Sequence, residues 1–193
     1  MMSGYELSFQ RFDARQARAL RDMVESIYID AYATTIASGH EFDSVEQFMR
    51  RFDAYTKSDR GFELVVAYNQ DGEAIGQAWG WPLGPDAAWW DGLVEEEPEP
   101  GFTRETGSRT FALSEIMVRA NWTGQGVAHR LHDELLGPRP ETRATLLVEP
   151  DNERAYRAYK AWGWRQIGRL QPRWENAPTF HALILPLPLS RRT

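Results

Sequence analysis

Residues 110–168 repeat one pattern twice: an apolar run of strand length, a short connection, then apolar positions at helical spacing. Residues 110–118 read as a strand, 126–136 as a helix, 144–148 as a strand and 152–162 as a helix. A β-α-β-α order forces parallel pairing at its centre, because a tight turn cannot join parallel strands. No other feature of the chain limits the fold as strongly.

The flanking sequence fits around that unit. Residues 5–9 alternate as a short strand, and Asp13 caps a helical pattern carrying Ala17, Leu20, Met23, Val24 and Ile27. A second helix is predicted over 44–55, with Ser44 as cap, Gln47 at the capping-box position, and Val45, Phe48, Met49 and Phe52 as its apolar stripe. Residues 62–68 and 74–81 form a predicted antiparallel hairpin about the turn Asn69-Gln70-Asp71-Gly72, and 164–169 and 180–187 supply closing strands. Residues 82–108 are rich in Pro, Gly and acids without a sustained period, which predicts a functional lid or a disordered loop. The expected fold class is α+β: one domain over residues 1–193, a mixed and mostly antiparallel sheet with the β-α-β-α unit at its centre and helices flanking it.

Composition removes several classes of function. At 193 residues the chain has room for one substantial core. A formal net charge of −6 gives no field that would gather nucleic acid or anionic lipid. With no cysteine, disulfides, thiolate metal sites and a thiol nucleophile are excluded, and no metal site is expected. No run approaches the roughly 18–20 apolar residues that span a bilayer, and no basic segment followed by an apolar run opens the chain. A soluble cytoplasmic protein is the expectation.

Two motifs carry chemistry. Val118-Arg119-Ala120-Asn121-Trp122-Thr123-Gly124-Gln125-Gly126-Val127-Ala128 joins a strand to a helix. Such a junction gathers orphan backbone N–H groups and the positive end of a helix dipole, which suits a pyrophosphate. Glycine there also serves simple turn chemistry. The dinucleotide fingerprint fails because His129 stands at its third small position, and no Gly-Lys-Ser or Gly-Lys-Thr follows for a Walker loop. In the second motif Asn152 and Tyr159 stand two helical turns apart, on one face, and Gly163 ends the helix. Taken singly, Asn152 also suits a helix N-cap and Tyr159 a core tyrosine.

Together the motifs resemble the core of the GNAT superfamily of acetyl-CoA-dependent N-acetyltransferases. Its loop reads Gln/Arg-x-x-Gly-x-Gly/Ala, and its next helix reads Asn-x-x-Ala-x-x-x-Tyr-x-x-x-Gly-aromatic. Here Thr123-Gly124-Gln125-Gly126-Val127-Ala128 matches the first, except that Thr123 replaces the usual Gln or Arg. Asn152, Ala155, Tyr159, Gly163 and Trp164 match every fixed position of the second. The resemblance implies acetyl-CoA as cofactor, with its pantetheine along Ile116, Met117 and Val118 and its pyrophosphate on Gly124, Gln125, Gly126, Val127, Ala128 and His129. It further implies contacts to the cofactor from Asn152 and Ala155, and Tyr159 directed at the sulfur.

The activity implied is an acyl-CoA N-acyltransferase passing an acetyl or other short acyl group to an amine by direct attack. The alternatives are a GNAT-fold CoA-binding regulatory or sensor module without transfer, and an interaction domain whose loop is only a turn. Tyr159, at an ordinary pKa of about 10, can share a proton with a thiolate whose thiol titrates near about 8.5. An amine of pKa about 10.4 needs roughly 4–5 kcal/mol to reach its nucleophilic form at neutral pH, so a base is required. Glu115 is the first candidate and His181 the second. Each also reads structurally, as a strand acid paired with arginine and as a half-buried histidine. His132 reads as packing or capping.

The acceptor is expected to be a small-molecule or peptide amine. Trp79, Trp81, Trp89 and Trp90 could line its pocket together with His181, while Glu95, Glu96, Glu97 and Glu99 either attract a cation or form a solvated loop. A homodimer pairing through tryptophans or residues 180–187 is compatible with the sequence.

Overall fold

The computed structural model describes residues 6–57, 60–173 and 175–190. Tyr5, the first residue of the first predicted strand, lies outside them. The elements run β1 (Ser8–Asp13), α1 (Ala14–Ala19), α2 (Arg21–Ala31), α3 (Ala33–Ala37), α4 (Val45–Thr56), β2 (Glu63–Tyr68), β3 (Ala74–Pro82), β4 (Thr110–Val118), α5 (Val127–Leu136), β5 (Arg143–Val148), α6 (Glu153–Ala161), β6 (Arg165–Leu170) and β7 (Phe180–Pro186). Seven strands form one mixed sheet in the order β1-β2-β3-β4-β5-β7-β6. β4 and β5 pair parallel, whereas β1 with β2, β2 with β3, β5 with β7 and β6 with β7 pair antiparallel. This is the expected α+β class with its central β-α-β-α unit. Because β7 lies between β5 and β6, its backbone cannot add to a second chain, which removes that route to a dimer.

The chain divides into two compact units, Met1–Trp81 with Glu115–Leu135, and Pro82–Ser114 with Leu136–Thr193. In the first, Trp79 is buried among Phe48, Phe52 and Phe62, with ring centroids at 5.4, 5.2 and 6.3 Å. Ala17, Val24, Ile27 and Met49 close the same core from α1, α2 and α4. Asp13 and Gln16 complete a capping box at α1. The single helix expected after Asp13 breaks instead at Leu20, whose φ of −99° and ψ of 15° start a new axis for α2. Ser44 caps α4 by accepting from the Gln47 amide at 3.2 Å, but the Gln47 side chain turns to Glu41 and no reciprocal bond forms. Gly76 lets elements approach closely, since a Cβ there would stand 2.9 Å from the Met117 carbonyl oxygen and 3.0 Å from Leu131 Cδ1.

In the second unit, residues 82–108 are neither unstructured nor detached. Leu83, Trp90, Phe102 and Glu105 are all buried. Glu105 Oε1 accepts from Trp90 Nε1 at 2.8 Å, from Thr110 Oγ1 at 2.9 Å and from Arg143 at 3.0 Å. Arg143 also donates to Thr110 Oγ1 at 2.7 Å and to the Phe102 carbonyl at 2.6 Å, and its guanidinium lies 4.2 Å from the Phe102 ring centroid. Burial holds the Arg143 pKa below the ordinary arginine value, opposed by its bond to Glu105. Further along, Leu93 bridges to Leu170 and the Val94 amide donates to the Arg169 carbonyl at 2.9 Å. Gly92 is required at that junction, because a Cβ would stand 1.9 Å from the Gln171 carbonyl oxygen. The acidic run is partly consumed here. Glu95 accepts from the Arg169 backbone and side chain at 2.6 and 2.7 Å, and Glu97 binds the Gly101 amide and the Thr103 hydroxyl. Glu96 and Glu99 stay exposed.

Removing one partner of a buried ion pair leaves the other charge uncompensated. Arg143→Met is therefore expected to lower stability by about 3–5 kcal/mol in urea unfolding, and adding Glu105→Leu to recover part of that loss.

Candidate functional site

In the first unit β4 ends at Val118 and the chain turns through Ala120–Trp122 into residues 123–126 before α5 begins. Arg119 fixes the start of this loop. Its amide donates to the Ile75 carbonyl at 2.8 Å, its Nε to the Ala74 carbonyl at 2.8 Å, and its Nη2 to Ser26 Oγ at 3.0 Å. Asp30 on α2 accepts the Ala120 amide at 2.7 Å and lies 3.6 Å from the Arg119 guanidinium. Neither Ser26 nor Asp30 carries any mark in the sequence, because each acts through contacts about ninety residues away along the chain.

Past that anchor, Gly124 and Gly126 both have φ of +77°, the left-handed region disfavoured for side chains. A Cβ on either would meet nothing within 4 Å, so the glycines are set by backbone conformation and leave open space above the loop. Thr123, Gly124, Gln125 and Gly126 are exposed. Thr123 Oγ1 donates to the Ala120 carbonyl at 2.9 Å and Gln125 Nε2 to the Asn121 carbonyl at 3.0 Å, which braces the loop from within. The Arg130 amide donates to the Gly126 carbonyl at 3.1 Å, so the Val127 and Ala128 amides stand ahead of the first bond inside α5. An anionic diphosphate fits this cradle, with its backbone donors and the positive end of a helix.

The first unit also holds Glu115 within electrostatic reach of Tyr55. Burial, and next the Glu115 carboxylate, push the Tyr55 hydroxyl above the ordinary tyrosine pKa, while Arg51 pulls it back. The Tyr55 and Trp81 rings lie 4.1 Å apart, centroid to centroid, and line a hollow of about 200 Å³ with Ala54, Arg60 and Phe62. Sequence reading named Trp81 and Glu115 but missed Tyr55, which stood only as the last residue of the predicted helix 44–55. Trp79 is 1% exposed and belongs to the core, so its ring offers no face to an acceptor. Along β4, Ile116 is half-buried while Met117 and Val118 are buried. A larger hollow of about 470 Å³, between α2 and α4, is lined mainly by charges that already pair, such as Arg21 with Asp53 and Arg50 with Glu46.

In the second unit the parallel ladder joins Thr110–Ala112 to Arg143–Thr145, while β5 stays paired to β7 as far as Val148. Asn152 is exposed and caps α6, its Oδ1 accepting the Ala155 amide at 3.2 Å. Tyr159 is 9% exposed and meets Trp162 and Trp164 edge-on, at centroid distances of 5.6 and 6.1 Å. Gly163, at φ of +102°, closes α6 in a Schellman pattern: Trp164 N–H donates to the Tyr159 carbonyl at 3.0 Å and Gly163 N–H to the Lys160 carbonyl at 3.2 Å. His181 Nδ1 lies 2.9 Å from Gln166 Nε2. Gln166 Oε1 in turn accepts from Tyr156, which makes His181 part of a local network. Trp90 is buried on Glu105 and Phe102, and the Trp89 indole N–H is buried without a hydrogen-bond partner.

The profile of the acetyltransferase (GNAT) family matches residues 22–164. No curated protein sequence matches the chain. Among solved structures, PH1933 from Pyrococcus horikoshii OT3 is similar at 16% identity and a TM-score of 0.64, covering 95% of this chain and 100% of that one. A spermidine N-acetyltransferase mutant from Vibrio cholerae is similar at 11% identity and a TM-score of 0.58, covering 93% of each chain. yncA from Salmonella typhimurium, solved with its cofactor acetyl-CoA, is similar at 12% identity and a TM-score of 0.55, covering 97% of this chain and 96% of that one. At these identities the likeness is one of fold.

Two outcomes follow from the geometry. Gly126→Ala is expected to cost about 1–2 kcal/mol in urea unfolding from backbone strain alone, since no atom obstructs the added methyl. Tyr55, followed by the loss of its phenolate absorbance in Tyr55→Phe, is expected to titrate above about 10, and Glu115→Gln to lower that midpoint. Because the folded pKa is raised, this contribution to stability is full below the unfolded value and lost as pH rises through the folded one.

Proposed function

The chain belongs to the GNAT family of acetyltransferases, and from that premise we propose that residues 1–193 act as one N-acyltransferase domain moving an acetyl or other short acyl group from acyl-CoA to an amine. Family membership makes acyl transfer the general chemistry. The observation that carries the reading is the pair of left-handed glycines, Gly124 and Gly126, with open space above them at the start of α5.

In this reading the amides of Gly124, Gln125, Gly126, Val127, Ala128 and His129 hold the diphosphate of CoA, Thr123 supports them, and the backbone of Ile116, Met117 and Val118 receives the pantetheine arm. Asn152 and Ala155 contact the cofactor from α6. When bound, acyl-CoA supplies the thioester whose acyl carbon is the electrophile. Glu115 takes the proton of the incoming ammonium, directly or through water, which lowers the roughly 4–5 kcal/mol needed to expose the amine lone pair. A backbone N–H of β4 polarises the acyl oxygen. Tyr159 O–H donates a hydrogen bond to sulfur as the thiolate leaves. Trp81, paired with Tyr55 near Glu115, forms the aromatic side of the acceptor pocket, where a cationic amine gains from ring faces. Trp89, with its buried indole N–H, remains a candidate donor to the acceptor, and His181 a candidate second base. The spermidine N-acetyltransferase of similar fold supports an amine as acceptor.

A second reading, a CoA-binding module without transfer, draws on the burial of Tyr159 between tryptophan edges, which would suit a purely structural tyrosine. Calorimetry against CoA tests the common premise, and no heat at millimolar concentration would remove both readings. Tyr159→Phe separates them: transferase action predicts a kcat lowered about 10²-fold or more with CoA affinity kept within about twofold. Glu115→Gln is expected to lower kcat/KM by about 10²–10⁴-fold and flatten its rise with pH, across a panel of small amines and peptides.

A further inference from the structure

Helix α5 carries His129, His132 and Asp133, spaced so that one turn brings all three side chains together. His129 Nε2 lies 3.6 Å from Asp133 Oδ2, and His132 Nδ1 lies 2.8 Å from Asp133 Oδ1. The three donor atoms fall within 4.8 Å of one another, and the imidazole centroids are 5.9 Å apart. Among the described residues, no other trio of His and carboxylate side chains converges in this way.

An ion pair alone needs one imidazole on the carboxylate. Here each oxygen of Asp133 meets a different ring, so two imidazole nitrogens and one carboxylate converge on a common volume. That is a donor set of intermediate softness, matched to Zn²⁺. Bonds of about 2.0–2.2 Å in a tetrahedral site place ligand atoms about 3.3–3.6 Å apart, which the His129 and Asp133 pair already satisfies, while His132 Nδ1 and Asp133 Oδ1, hydrogen-bonded at 2.8 Å, part as the ion enters between them. Burial differs along the trio in a way that also suits a metal. His132 is 1% exposed and fixed, whereas the side chains of His129 and Asp133 are 26% and 51% exposed, giving the ion an entrance and a place for a completing water. The cation next along the helix does not compete, because the Arg130 guanidinium lies 5.0 Å from the Phe9 ring centroid.

We propose that His129, His132 and Asp133 form a Zn²⁺ site on α5, three protein ligands with water as the fourth. Expected to serve packing or capping, His132 becomes the buried ligand of the set. The proposal is independent of acyl transfer, and its test needs neither CoA nor turnover.

The untagged 193-residue chain is titrated with ZnCl₂ by calorimetry, with MgCl₂ as control, and its thermal unfolding is followed with and without Zn²⁺. One Zn²⁺ per chain, no Mg²⁺ response and a raised Tm are expected. His129→Ala and Asp133→Asn, both on the exposed side of the helix, should each weaken Zn²⁺ binding at least about tenfold and abolish the rise in Tm. Far-UV circular dichroism checks that both variants stay folded. Absence of binding at about 100 μM Zn²⁺, or binding of the same strength in both variants, overturns the site.

Discussion

Thr110 and Arg143 are the first register partners of the parallel ladder, and their side chains are joined by a 2.7 Å hydrogen bond with Glu105 bridging both. A buried guanidinium without its carboxylate would cost several kcal/mol, so the second unit has one way to assemble around it. Sliding β5 by one residue along β4 would send Arg143 to the opposite face of the sheet and strand that charge. The pairing is thus held by side-chain electrostatics as well as by backbone bonds. The same carboxylate gathers Trp90, and Arg143 reaches the Phe102 carbonyl, so a segment that reads as a loop becomes part of the core.

Parallel strands cannot be joined by a hairpin, so the chain must leave β4, turn and return through a helix. The turn is where the chemistry collects. Two residues in the left-handed region are needed to swing the backbone from Val118 into α5, and glycine supplies both. Arg119 and Asp30 hold the near end of that turn, which lets its far end present amides outward without collapsing. The strand feeding the turn carries Glu115, so a carboxylate and the proposed anion cradle come from consecutive stretches of one chain segment.

How much of this could be read from the sequence depends on the range of the cause. β4 is bounded by turn residues and apolar throughout its ends, and its predicted limits are those observed. Helix caps at Asp13, Ser44 and Asn152 depend on neighbours three residues away and were legible too. The break at Leu20 was not, since an apolar residue at the right phase gives no sign that its own ψ departs from helical values. Glu105 looked like one more acid in an acidic loop, and Trp79 like its neighbours in a tryptophan cluster. Only the partners they meet, 38 positions away for Arg143 and on α4 for Phe48 and Phe52, separate a buried anchor from a surface group.

β6 closes one end of the sheet, and such a strand offers a row of unsatisfied amides and carbonyls to any extended peptide. Residues 93–95 lie along it instead: Leu93 opposite Leu170, the Val94 amide on the Arg169 carbonyl, and Glu95 on the Arg169 amide. With that border covered, β1 is the other outer strand of the sheet among the described residues, and there Arg11 reaches across to Glu63 and Glu134 in a charged guard against strand-by-strand growth into fibrils.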